Sequence, residues 1–355
     1  MTPSTLSRGI GASLTEFDQL PVVDVGPYVD GSDKRGVADR IGIACRDVGF
    51  FYIRNHGVAG PLVEKVFKAA EEFFLLPVAE KRRIDVLNSP AYRGYVPLYA
   101  ESVSGLIPNL RECFDIGNEF GPDYPHADED LPLHGRNQWP ARPAGLRPAL
   151  EAYWSEMMRL ANQLMGAMAL SLGLDESYFD QSINWPLAQI RLNHYPPQTK
   201  HLDGSEMGID EHSDYGCLTI LAQDDVGGLE VKNAAGTWIH APPIPGTFII
   251  NLGQQMQRWT NDLFKATMHR AVNASGRERY SIPFFFDANW DARIECLPTC
   301  RSAANPAKYP PVMAGPALHE IFLSAYFNPA TQEKAGAPAR PDSANAARST
   351  SAGAR

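Results

Sequence analysis

With 355 residues, 44% of them hydrophobic and 21% charged, the chain has the make-up of an ordinary globular protein long enough to bury a large core. A formal net charge of −9 and a pI near 5.5 weigh against nucleic acid as a partner, because phosphate binding needs clustered Lys and Arg, and no basic run stands out. No apolar run is long enough to span a bilayer, so no membrane role is expected.

The start of the chain has no charged region followed by an apolar one, so no secretory signal is expected. Five cysteines, an odd number in no dense framework, suit a reducing, cytoplasmic setting. Cys296 and Cys300 lie four apart, but no second pair accompanies them and no metal site is read from them.

In chain order, residues 1–17 are expected to be flexible. Residues 20–25 (LPVVDV) read as a strand, 34–46 as a helix, 49–57 (GFFYIRNHG) as a strand ending at a glycine, and 61–76 as an amphipathic helix. Residues 88–140, rich in Pro and Gly, read as loop. The clearest helix covers 150–172, where Leu150, Tyr153, Met157, Ala161, Leu164, Met168 and Leu172 recur at spacings of three and four between Pro148 and Gly173.

From 188 to 286 the pattern changes to short strands: AQIRLNHY, CLTILAQ, GLEV, TWIH, TFIINL, HRAV and RYSIPFFF, broken by Gly227-Gly228, Gly236 and Gly246. Such a run of short strands indicates a double-sheet jelly roll. A last helix is expected over 317–327, and the tail from 329, poor in bulky apolar residues, is expected to be disordered. The fold class is therefore α+β, with helices flanking a jelly-roll β core. The expected divisions are an N-terminal region, 18–140, and a long helix with the β core and closing helix, 141–328.

His212-Ser213-Asp214 and the distant His269 carry the most chemical information. Side chains two apart on a strand share a face, so His212 and Asp214 are expected to reach one ion, with His269 on a neighbouring strand as third ligand. Two imidazoles and one carboxylate form the facial triad of non-haem Fe(II) oxygenases, which keeps coordination positions open. His201-x-Asp203 has the same spacing but lies in a polar segment, whereas His212-x-Asp214 runs into the apolar CLTILAQ. Further on, Arg279 and Ser281 share a strand face and suit a buried carboxylate, since Arg binds carboxylates with a planar fork. Asn193 and Tyr195 in RLNHYPP also share a face, and Tyr195 is placed to assist.

Together these segments resemble the isopenicillin N synthase-like family of 2-oxoglutarate/Fe(II)-dependent dioxygenases. LPVVDV, GFFYIRNHGV, YRGYVPL and LRECFDIG match its N-terminal and middle parts. NHYPP, HSDYGCLTILAQDDVGGLEV, GTWIHAPPIPGTFIINLG, HRAVN and RYSIPFFF match its catalytic core in order. The resemblance runs from about residue 18 to 328 and implies a distorted double-stranded β-helix. It implies Fe(II) held by His212, Asp214 and His269. It implies 2-oxoglutarate held at its distal carboxylate by Arg279 and Ser281 with Tyr195, and Asn193 beside the metal-bound end. O2 is the second cosubstrate. The implied reaction is oxidation of a small-molecule substrate by hydroxylation, desaturation or ring closure, with 2-oxoglutarate decarboxylated to succinate. No obligate protein partner is evident. Phe285, Tyr215, Tyr99 and Leu106 are candidates for the substrate pocket.

One departure is Gln254, where many relatives carry Asp, which puts local hydrogen bonding in question. The alternatives are an oxidase of the isopenicillin N synthase type, an ethylene- and succinate-forming enzyme, which QDDVGGL resembles, and a catalytically silent β-roll that binds a carboxylate. A zinc hydrolase would leave the Arg-Ser pair without a purpose.

Overall fold

The computed structural model describes residues 18–102, 108–198 and 207–326. Its main strands, in chain order, are β1 (Val22–Asp24), β2 (Phe50–Arg54), β3 (Gly94–Val96), β4 (Glu112–Gly117), β5 (Gln189–Tyr195), β6 (Ile209–His212), β7 (Leu218–Gln223), β8 (Leu229–Lys232), β9 (Trp238–His240), β10 (Phe248–Leu252), β11 (His269–Ala271) and β12 (Arg279–Phe286). An eight-stranded sheet has the order β1-β2-β10-β7-β12-β5-β4-β3, and a four-stranded sheet the order β6-β11-β8-β9. Within these two sheets only β1 and β2 run parallel. Two facing antiparallel sheets make the jelly roll expected from the strand pattern.

The 26-residue helix Leu146–Ser171 packs with helices Lys34–Asp47 and Gly60–Phe74. Its stripe of Leu150, Tyr153, Met157, Ala161, Leu164 and Met168 is buried in the main core, and Trp154 meets Phe284 of β12 edge-on. The helix starts a turn earlier than the periodicity predicts. Pro148 is its third residue, where its missing N–H would have no partner in any case. Gly173 ends it in a left-handed conformation, φ +73.

The larger difference lies in 88–140, which reads as loop but holds β3 and β4. Every residue of β4 is buried, so the strand has no polar-apolar alternation to betray it. Its charged residues are buried against partners supplied from elsewhere in the chain: Glu112 with Lys81 at 2.6 Å, and Asp115 with Arg191 at 2.7 Å. Because β1 to β4 lie in the same sheet as β5, β7, β10 and β12, residues 18–140 and the β core share one layer.

The closing helix runs Ala314–Tyr326, three residues earlier than expected at its start. Residues 1–17, His201 and Asp203, Leu106 and the tail from 327 lie outside the described residues. All five cysteines are free thiols, Cys296 and Cys300 included. Among the described residues no helix is long and apolar enough to cross a membrane.

Candidate active site

Strands β6 and β11 are antiparallel neighbours, with His269 opposite His212 in register. The chain leaves β6 at His212, so Asp214 lies in the following turn and not on a shared strand face as expected. That turn is held by backbone bonds from Gln254 N to Asp214 O (2.8 Å) and from Gln255 N to Tyr215 O (2.9 Å). Gln254 also donates its side-chain amide to Ser213 Oγ at 3.0 Å, so the residue that departs from the family pattern braces the triplet.

His212 Nδ1 donates to Asp210 O (2.8 Å) and His269 Nδ1 to Thr267 O (3.2 Å). A carbonyl can only accept, so each Nδ1 carries the proton and each Nε2 keeps its lone pair for the space between them. Asp214 Oδ1 sits 3.7 Å from His212 Nε2 and 3.6 Å from His269 Nε2. One ligand atom from each residue falls within 4.8 Å of the others. The phenyl ring of Phe50 packs edge-on against His269, centroids 5.0 Å apart.

The other oxygen of Asp214, Oδ2, accepts from Asn251 Nδ2 at 2.6 Å and from Thr219 Oγ1. Asn251 and Thr219 face each other across the β10–β7 ladder. Burial, and then the neighbouring His269, lower the His212 pKa well below the usual imidazole range and favour its neutral form. Burial works against ionisation of Asp214, but His269, His212 and the two hydrogen bonds outweigh it and hold the carboxyl below its usual range. A neutral imidazole and an ionised carboxylate are the donors a divalent first-row metal takes, so these residues fit iron. Asn251→Ala should lower iron affinity by about 10- to 100-fold, the usual cost of losing a hydrogen bond to a ligating group, as measured by iron titration of the purified protein.

The second half of the site is at the start of β12. Arg279 and Ser281 lie opposite Tyr195 and Asn193 of β5 in register. Arg279 is 2% exposed. Its Nε donates to Gly227 O, its Nη2 lies 3.5 Å from Gln223 Oε1, and its guanidinium stacks over the ring of Tyr195 at 4.6 Å. Its Nη1 is buried with no hydrogen-bond partner among the described residues. Ser281 Oγ accepts from Asn193 Nδ2 at 3.2 Å. The tight Gly227-Gly228 turn, φ +79 and +97, presents the Gly227 carbonyl to Arg279, and a Cβ on Gly228 would come within 2.3 Å of Val272 O. A buried guanidinium with a free N–H fits a carboxylate such as the distal one of 2-oxoglutarate.

A cavity of about 170 Å³ joins the two halves between the sheets. Phe285 and Tyr215 line it. Tyr99 does not: it sits in a separate turn with φ +64, its backbone N bonded to Asn109 O. The closing helix forms the outer wall with Leu318, Ile321, Phe322 and Tyr326. Beside it runs a buried network that sequence reasoning did not foresee. Glu101 accepts from Arg111 and Arg191, each at 3.0 Å. Arg191 holds Asp115 with two bonds of 2.7 Å and donates to Tyr326 Oη at 3.0 Å, tying the helix to β5.

Burial alone would raise the Glu101 carboxyl, but Arg191 and Arg111 outweigh it and hold it at about 2, below its ordinary 4.5. A depressed carboxyl stabilises the fold above its unfolded value and loses that contribution as the pH falls through its folded one. Glu101→Gln should therefore be less stable than wild type at neutral pH by about 3 kcal/mol. The gap should close between pH 4.5 and about 2, as followed by denaturant unfolding across that range.

Comparison with known proteins agrees with this geometry. Residues 20–142 match the family described as non-haem dioxygenase in morphine synthesis N-terminal, and residues 186–288 match the 2OG-Fe(II) oxygenase superfamily. The chain is 37% identical to the 2-oxoglutarate-Fe(II) type oxidoreductase hxnY of Emericella nidulans, over 86% of this chain and 90% of that one. It is 34% identical to a homoarginine-6-hydroxylase of Oryza sativa subsp. japonica, over 88% and 99%. Among solved structures, a Neurospora crassa protein in complex with alpha-KG and thymine superposes with a TM-score of 0.75 at 28% identity, covering 87% of this chain and 98% of that one. The chain belongs to the 2OG-Fe(II) oxygenase superfamily and is an oxidoreductase that uses Fe(II), 2-oxoglutarate and O2.

Proposed function

We propose that this enzyme oxidises a compact small molecule at an iron held by His212, Asp214 and His269, with 2-oxoglutarate anchored by Arg279 and Ser281. The observation that carries the reading is the meeting of two Nε2 atoms and one Oδ1 within 4.8 Å, in one cavity with a buried guanidinium that has an unpartnered Nη1. Iron with 2-oxoglutarate supplies O2 activation, coupled to release of succinate and CO2. The chain's own residues do the rest. The Nδ1–H bonds fix the imidazole tautomers, and Asn251 and Thr219 aim the carboxylate. Arg279 sets the depth of the cosubstrate. Asn193, bonded to Ser281 Oγ, borders the cosubstrate pocket.

The closing helix and the aromatic walls exclude water from the oxidation. The small cavity and the small molecules named for relatives, thymine and homoarginine among them, support a compact substrate. Five free thiols are in keeping with a reducing, cytoplasmic setting.

The test is anaerobic addition of Fe(II) and 2-oxoglutarate to the purified protein. A visible metal-to-ligand charge-transfer band is expected, and admission of O2 should yield succinate even without substrate. No band and no succinate would overturn the reading. Ethylene in the headspace would point instead to fragmentation of 2-oxoglutarate.

A further inference from the structure

Strand β12 lays out one side of the cavity with a period of two: Arg279, Ser281, Pro283 and Phe285 all face it, and Asp287, just beyond the strand end, continues the series. Asp287 is only 6% exposed. Its carboxyl group lies so close to Gly216 that a Cβ there would fall 1.5 Å from Oδ1, so a side chain at 216 would displace it. Among the described residues no hydrogen bond or ion pair reaches this carboxyl. Burial, with Asp214 adding to it, pushes it up to about 8, as expected for an acid lacking a donor.

The rest of the cavity is matched. Glu101 and Asp115 are paired with Arg111 and Arg191. Asp214, Arg279, a ferrous ion and the two carboxylates of 2-oxoglutarate sum to zero. Asp287 is therefore the acidic group left without a counterpart, and it stands between the metal-ligand turn at Tyr215-Gly216 and the aromatic wall at Phe285.

We propose that Asp287 is a specificity-determining residue whose carboxyl group takes an N–H of the substrate, so that the enzyme selects small nitrogen compounds seated against Tyr215 and Phe285. A buried carboxyl is costly until a donor reaches it, and a substrate nitrogen supplies that donor only when bound. The N–H can belong to a neutral ring amide or to a cationic guanidinium; both present the same donor. This inference rests on the functional reading above, since it presumes that substrate occupies the cavity beside the metal.

The test is a thermal-shift and titration series on the iron-free protein. It pits thymine against its N,N-dimethyl derivative and homoarginine against norleucine, with wild type, Asp287→Asn and Asp287→Leu in parallel. Thymine, which keeps its ring N–H groups, or homoarginine, which carries the guanidinium, should bind about 10-fold or more tightly than its counterpart. Asp287→Leu should erase that preference. Asp287→Asn, isosteric and able to accept a hydrogen bond, should keep it for the neutral ring and lose it for the cation. It also controls for misfolding of the Leu variant. The inference is overturned if neither pair shows an N–H preference or if Asp287→Leu retains it. The anaerobic charge-transfer band, recorded on the same protein, separates the two failures: without the band the functional reading itself fails, and with it only the role of Asp287 does.

Discussion

Asp214→Ala is expected to lose both the charge-transfer band and succinate formation, a far larger effect than the roughly 10- to 100-fold cost of losing an outer hydrogen bond. Asp214 is the one anionic member of the triplet, and its Oδ1 lies about equally far from the two imidazole nitrogens. Without it, two imidazoles remain, too few donors to hold Fe(II) against water. The substitution also strips Asn251 and Thr219 of their shared acceptor, at a cost of about 1–3 kcal/mol for each buried polar group left unsatisfied. Some drop in melting temperature is therefore expected, and circular dichroism should show a retained fold. The cosubstrate end lies on other strands, so 2-oxoglutarate should still raise the melting temperature of the variant. A carboxylate-binding module without catalysis predicts the same shift but no succinate from wild type. Succinate from Asp214→Ala at the wild-type rate would remove this residue from the metal.

The parts of this site that sequence made legible are those set by local spacing. His212-x-Asp214, Arg279-x-Ser281 and Asn193-x-Tyr195 are each written within three residues, and the strand period places the last two pairs opposite each other on β12 and β5. What stayed hidden depends on tertiary partners. Thr219 and Asn251 were visible only as polar residues inside the apolar runs CLTILAQ and TFIINL, a signal that becomes specific once β7 and β10 are known to pair. Strand β4 was hidden because its buried charges, neutralised by Lys81 and Arg191, resemble a loop in composition. The role of the closing helix follows from the Arg191–Tyr326 bond, which joins residues 135 apart. Asp287 was the nearest to legible: carrying the period of two one step past RYSIPFFF reaches it.

Arg279→Ala should raise the KM for 2-oxoglutarate by about 30- to 4,000-fold, corresponding to the 2–5 kcal/mol lost when one partner of a buried, hydrogen-bonded charge pair is truncated. The guanidinium is held on three sides: by Gly227 O at Nε, by the ring of Tyr195 over its face, and by Gln223 at Nη2. This leaves Nη1 as the donor for an incoming carboxylate. Arg279→Lys is the sharper variant. It keeps the positive charge but has neither the fork nor the planar face that stacks on Tyr195, so its KM should lie between those of wild type and Arg279→Ala. The metal triplet sits on β6, β11 and the turn between β6 and β7, so iron affinity without 2-oxoglutarate should change little in either variant. Saturating 2-oxoglutarate should recover much of kcat in Arg279→Lys. A purely structural role for Arg279 predicts the opposite pattern, with stability and kcat falling together and an unchanged KM. Initial rates across a 2-oxoglutarate series, alongside thermal melts of the same preparations, decide between them.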